Sequence, residues 1–176
     1  MQSNWSAYVN IATLLYVAAV VLQASSQTGP PIFDHGVDLP TDRPLVVAHR
    51  GSSGSLPEHT SMSYQRAVDE GADVIECDLT ITQDLVLICM HENWMNDTTN
   101  VADVFPADRA NSYFVQDQAR IVTDYFAVDF RYDELQSSVR KRQRYSFRDP
   151  NYDDMLEIAS FDQYVSIARN AGRPGW

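Results

Sequence analysis

Lysine is nearly absent from this 176-residue chain: twelve of its 13 basic residues are arginine, and the remaining one is Lys141. Against 24 acidic residues the net charge is −11. That balance argues against a nucleic-acid partner, whose binding draws most of its affinity from neutralised phosphates. Cysteine is scarce too. Cys77 and Cys89 are too few for a disulfide scaffold or a zinc ribbon, leaving one bridge or two free thiols. Seven Gly and eight Pro exclude a collagenous or low-complexity polymer. No charge precedes Asp34, and the apolar stretch over residues 11–22 falls short of the ~18–20 residues of a membrane-spanning helix. A hydrophobic content of 44 % is nevertheless enough to bury the core of one ordinary domain.

That apolar stretch, IATLLYVAAVVL, is followed by the small residues Ala24, Ser25 and Ser26. The pattern reads as a secretory signal peptide over residues 1–26. An uncleaved signal anchor and a buried helix are the alternatives, because Lys and Arg are missing ahead of it. Cleavage would leave no stable membrane span. Residues 27–43, rich in Pro, Gly and Asp, read as a linker to a globular part over residues 44–176. The sequon Asn96-Asp97-Thr98 marks Asn96 as a glycosylation acceptor and fits a secreted or secretory-pathway location, whether extracellular, cell wall or vacuole.

The globular part opens on Leu45-Val46-Val47-Ala48, a continuous apolar run suited to a strand buried on both faces. A Gly- and Ser-rich loop follows, then a helix capped by Thr60 or Ser61 and stopped by Gly71. Strands over about residues 73–80 and 85–91 complete the βαβ signature of an α/β fold. Residues 92–154 show only hints of short elements, and the run Arg140-Lys141-Arg142-Gln143-Arg144 reads as a solvated face. A last helix starts at the N-cap Ser160 and reaches Gly172.

The chemistry concentrates between His49 and His91. His49-Arg50-Gly51 stands where the first strand ends, the place where parallel α/β folds bind ligands. It pairs a proton-transfer group with a cation able to hold a phosphate bidentately. In Glu76-Cys77-Asp78 the two carboxylates share one face of a strand. They repel unless a hard cation such as Mg²⁺ or Ca²⁺ lies between them. With Gln83-Asp84 as a two-residue turn, paired positions sum to 167. His91 then stands opposite Glu76, and Cys77 faces away from Cys89, which argues against a disulfide. A bulged turn would change that sum to 168.

The segment RPLVVAHRGSSGSLPEHTSMSYQRAVDEGADVIECDLTITQDLVLICMHE resembles the start of a glycerophosphodiester phosphodiesterase domain, in the plant-type secreted branch. The motifs are His49-Arg50-Gly51, Pro57-Glu58-His59-Thr60, Gly71-Ala72-Asp73, Glu76-Cys77-Asp78 and His91-Glu92. The resemblance implies a TIM-like (β/α) barrel, here only its N-terminal part, that hydrolyses small glycerophosphodiesters to an alcohol and glycerol 3-phosphate. It implies His49 and His91 as general acid and base, Arg50 on the substrate phosphate, and Glu76 and Asp78 as ligands of a divalent cation, Mg²⁺ or Ca²⁺. Glu58 joins these through its motif. By the same resemblance the substrate's glycerol hydroxyl attacks first, giving a cyclic phosphate that water opens. His59 stands where the family usually has Asn or Glu, and Glu92 where it has Asp. The family's third metal carboxylate is not found before Trp176. Three expectations follow: a phosphodiesterase cut short of its full barrel, a noncatalytic remnant that binds phosphate or metal, or a phosphatidylinositol-specific phospholipase C-like enzyme. The Pro-Glu and Gly-Ala-Asp context favours the first over the third.

Overall fold

The computed structural model describes residues 42–116 and 118–171. The expected signal peptide over 1–26, most of the linker and the last five residues lie outside the described residues. A first strand, β1 (Val47–Ala48), pairs in parallel with β2 (Val74–Ile75), Val47 against Val74 and Ala48 against Ile75. The connection between them is helix α1 (Ser61–Asp69). Its N-cap is Thr60, whose hydroxyl accepts the Ser63 N–H at 3.1 Å, so one orphan donor of the first turn is satisfied. Gly71, at φ 85°, turns the chain out of the helix, a conformation glycine adopts at no steric cost.

Beyond β2 the chain forms a hairpin of β3 (Leu79–Ile81) and β4 (Leu87–Cys89). The strands are shorter than the sequence suggests, and their register differs. Leu79 pairs with Cys89, Thr80 with Ile88 and Ile81 with Leu87, so paired positions sum to 168. The turn accounts for the difference. Thr82 N–H donates to Val86 C=O at 3.0 Å, Leu85 N–H returns to Thr82 C=O at 3.0 Å, and Leu85 adopts φ 66°. This is a three-residue loop ending in a left-handed residue, a position normally filled by glycine. Met90 N–H donates to Asp78 C=O, so Met90, not Cys89, stands opposite Asp78. Cys77 and Cys89 consequently share a side, with their sulfurs 2.8 Å apart, which overturns the expectation that they face away from each other.

The middle of the chain holds the short helix α2 (Val101–Val104), an antiparallel hairpin of β5 (Asn111–Val115) and β6 (Arg120–Asp124), and α3 (Tyr132–Ser138). The last helix, α4 (Phe161–Ala171), starts where expected. Ser160 Oγ accepts the Gln163 N–H while Gln163 Oε1 accepts the Ser160 N–H, a reciprocal cap. Helices α1 and α4 meet over β2 and β4, burying Tyr64, Ala67, Ile75, Cys89, Ala159, Tyr164 and Ala168. Tyr164 donates from its hydroxyl to Ile75 C=O at 2.7 Å, which satisfies the one polar atom that a buried tyrosine carries in. A second core gathers Ile88, Met90, Met95, Phe130, Leu135 and Ile158 beneath the hairpin.

The basic run is not a solvated face. Lys141 is fully buried, and its ammonium donates to Thr98 Oγ1 at 3.1 Å. No helix among the described residues is long and apolar enough to cross a membrane.

Candidate active site

Two strand ends and the loop between them build the site. Leaving β1, the chain turns sharply at Arg50 (φ 64°) and Gly51 (φ 82°). A Cβ at Gly51 would lie 2.5 Å from Ser63 Oγ and 2.8 Å from the Ser63 backbone, so the turn packs directly on α1. The turned backbone aims the Arg50 N–H at Glu76 Oε2, 2.8 Å away, joining the ends of β1 and β2. Ligand atoms of His49, Glu76 and Asp78 all lie within 4.8 Å of one another. Burial, then the nearby Asp78 charge, raises Glu76 above the usual carboxylate range, with the Arg50 N–H opposing. Asp78 Oδ2 is buried and accepts no hydrogen bond from the described residues. A half-buried carboxylate pair with an unsatisfied oxygen, beside an imidazole, is a donor set that suits a hard divalent cation.

Arg50 is the fixed cation of this site. Its Nη1 lies 3.1 and 3.2 Å from the two oxygens of Glu58, and its Nε lies 3.4 Å from Asp78 Oδ2. Glu58 is buried and receives a second guanidinium from Arg144, Nη2 to Oε1 at 2.9 Å. Burial alone would raise the Glu58 pKa. The bonds from Arg144 and the charges of Lys141, Arg144 and Arg50 outweigh it and hold the group at about 2. Glu58 therefore acts as a permanent anion that positions Arg50, rather than as a proton donor.

His59 is fully buried in a left-handed conformation, φ 60°. Its Nδ1 is 2.7 Å from the Tyr64 hydroxyl, and its Nε2 is 3.3 Å from Asp78 Oδ2. Burial, reinforced by the Lys141 charge, lowers its pKa to about 2, so the ring is neutral at any physiological pH. The consistent tautomer has Tyr64 donating to Nδ1 and Nε2–H facing the carboxylate. His59 thus faces Asp78 at contact distance without a hydrogen bond, whereas Glu58 bonds Arg50 directly.

His91 is not brought opposite Glu76. The register of 168 removes that pairing, and the ring stands 39 % exposed with Nδ1 2.8 Å from Glu92 Oε1. It reaches the site through Glu92, which lies 3.7 Å from Arg144 Nη1, and through Arg144 to Glu58. Asn96 is exposed, while Thr98 of its sequon is buried against Lys141. A concavity of about 650 Å³ beside the β5–β6 hairpin is lined by Thr80, Asn93, Tyr113 and Phe126 among others. Its lining holds no histidine, carboxylate or cation, so it offers no comparable chemistry. Sequence reasoning missed His59, Lys141 and Arg144. The left-handed position of His59 had a weak signal, an imidazole where Asn is usual, whereas Arg144 gave none beyond lying in a basic run.

Residues 49–173 match the profile of the glycerophosphoryl diester phosphodiesterase family. The chain is 48 % identical over 136 residues to the glycerophosphodiester phosphodiesterase GDPD6 of Arabidopsis thaliana, covering 77 % of this chain and 36 % of that protein. It is 44 % identical over 86 residues to the glycerophosphodiester phosphodiesterase of Bacillus subtilis, covering 49 % of this chain and 29 % of the relative. It thus spans about a third of the length of these relatives. Among solved structures, the fold resembles an Oleispira antarctica phosphodiesterase in complex with the product sn-glycerol-3-phosphate (TM-score 0.53, 20 % identity, 75 % of this chain and 42 % of that one). It also resembles a glycerophosphodiester phosphodiesterase of Agrobacterium tumefaciens (TM-score 0.50, 19 % identity, 73 % of this chain and 44 % of that one). The described β/α units are accordingly part of a TIM-like (β/α) barrel.

Proposed function

Because the chain belongs to the glycerophosphoryl diester phosphodiesterase family, we propose that it acts in metal-dependent hydrolysis of glycerophosphodiesters to an alcohol and glycerol 3-phosphate. One observation carries this reading: His49, Glu76 and Asp78 converge to within 4.8 Å beside the Arg50 guanidinium. The product named with the Oleispira relative supports the substrate class.

Arg50, fixed by Glu58, presents its guanidinium to the phosphate of the diester. Glu76 and Asp78, with His49 beside them, would hold a divalent cation, Mg²⁺ or Ca²⁺, which would supply Lewis-acid charge to the phosphoryl oxygens. His91 donates Nδ1–H to Glu92, leaving Nε2 as its basic nitrogen for one proton transfer. His49 serves the other. The left-handed backbone at Arg50 and His59 keeps the first strand end and the loop in register with the carboxylates.

The test is glycerophosphocholine hydrolysis with chelator and with added Mg²⁺ or Ca²⁺. Glu76→Ala and Asp78→Ala are expected to abolish cation-stimulated turnover. His49→Ala and His91→Ala are expected to lower kcat by ~10²–10⁴ with unchanged circular dichroism. Cation-stimulated hydrolysis retained in both carboxylate variants would overturn the metal assignment, and near-wild-type kcat in either histidine variant would make that residue structural. Cation binding without turnover would favour a noncatalytic phosphate- or metal-binding module. The proposal includes a secretory route with a glycan on the exposed Asn96. An endoglycosidase-sensitive mass on the expressed protein, lost in Asn96→Gln, is the expected result.

A further inference from the structure

Among the described residues the hairpin that follows the metal-site carboxylates is fastened at its turn and along its short ladder. Its mouth is closed by a pair of thiols. Cys77 lies between Glu76 and Asp78 and, by the alternation of extended backbone, on the other side from them. Cys89 ends β4, two residues before His91. The two sulfurs are 2.8 Å apart, and both residues belong to or pack on the α1/α4 core that also buries Tyr64. No other cysteine exists in the chain. A bonded pair of sulfurs is ~2.05 Å apart, so bond formation needs less than about 1 Å of travel, within reach of small side-chain rotations.

We propose that Cys77 and Cys89 are a redox-active dithiol that closes to an intrachain disulfide across the mouth of the β3–β4 hairpin. Cys77 is partly exposed and Cys89 fully buried, which sets the order of events. The Cys77 sulfur attacks a small-molecule disulfide, forming a mixed disulfide and releasing one thiol. The Cys89 sulfur then displaces the second thiol and forms the Cys77–Cys89 bond. The two side chains lose two electrons and two protons, and the reagent gains both as two thiols. The bond encloses residues 78–88 in a ring and ties the strand that bears Glu76 and Asp78 to the strand that leads to His91. It also removes both S–H groups beside Tyr64, whose hydroxyl bonds His59, which in turn faces Asp78. The dithiol therefore lies behind the candidate metal site, separated from Asp78 by Tyr64 and His59.

The test reads mass and stability, independently of any phosphodiesterase activity. The protein is equilibrated with oxidised glutathione or with dithiothreitol, then alkylated with N-ethylmaleimide in denaturant so that burial cannot hide a thiol. The oxidised sample is expected as a monomer lighter by two hydrogen masses with no alkyl group. The reduced sample is expected to carry two alkyl groups and to melt about 5–10 °C lower. A digest should yield one linked peptide joining Cys77 to Cys89. Two alkyl groups persisting after oxidation, a stable glutathione adduct, or a disulfide-linked dimer as the main product would each overturn the proposal.

Discussion

His59 occupies a place where charge is not tolerated, and that gives it a measurable signature. Its pKa falls from 6.5 to about 2 on folding, chiefly through burial. Between those values the unfolded chain binds a proton that the folded chain does not, so stability must fall as pH falls from about 6.5. Glu58, lowered from 4.5 to about 2, adds a loss of the same sign only below about 4.5. His59→Asn keeps a residue suited to a left-handed backbone and removes the first contribution. Wild type should therefore lose about 2 kcal/mol more than His59→Asn between pH 7 and pH 5. Urea unfolding at the two values measures this, and parallel losses would refute it. The carboxylate pair, His49 and Arg50 were legible in the sequence because they lie in short local motifs. Arg144 was not, since its contact with Glu58 spans 86 residues. A basic run in an acidic chain also looks like surface until a buried anion is found to hold it.

Leu85 shows how one residue decides an element. It takes φ 66° while 76 % exposed, so it carries the steric cost of a left-handed L-residue and recovers almost nothing by burial. Leu85→Gly is expected to stabilise the protein by about 0.5–1 kcal/mol, seen as a higher urea midpoint at unchanged m-value. A lower midpoint would show that the leucine packs usefully. Helices α1 and α4 were readable from Thr60 and Ser160, whose side chains cap them as their residue types imply. The parallel β1–β2 pair was readable from its apolar runs. The hairpin register was not, because the glycine that announces a bulged turn is replaced by leucine. One residue of slip then exchanged the partner of Asp78 and brought the two cysteines to the same side.

For the whole molecule, the distribution of apolar surface matters more than its amount. Val74, Ile75 and Ile88 are fully buried, whereas Val46 and Val47 are 56 % and 52 % exposed. Among the described residues β1 pairs only with β2. An apolar strand with an open edge is a template for a second chain. A protein comprising residues 27–176 is expected to elute larger than a monomer in a concentration-dependent way, and Val47→Lys should shift it toward monomer. A monodisperse monomer at high concentration would show that the edge is covered in solution.

The burial of Lys141 has a practical use. Because it is the only lysine in the chain, a lysine-specific protease has one bond to cut, and amine-reactive dyes have one side chain to label besides the α-amino group. That side chain is fully buried and bonded to Thr98, and its backbone is bonded to Leu156 and Asp154. At Lys141 both reagents should be nearly silent in the native protein and act at a rate proportional to the population in which this region has opened. The cleavage yield over time is then a direct gauge of local opening. The protein carries its own unfolding probe, with no engineered tag.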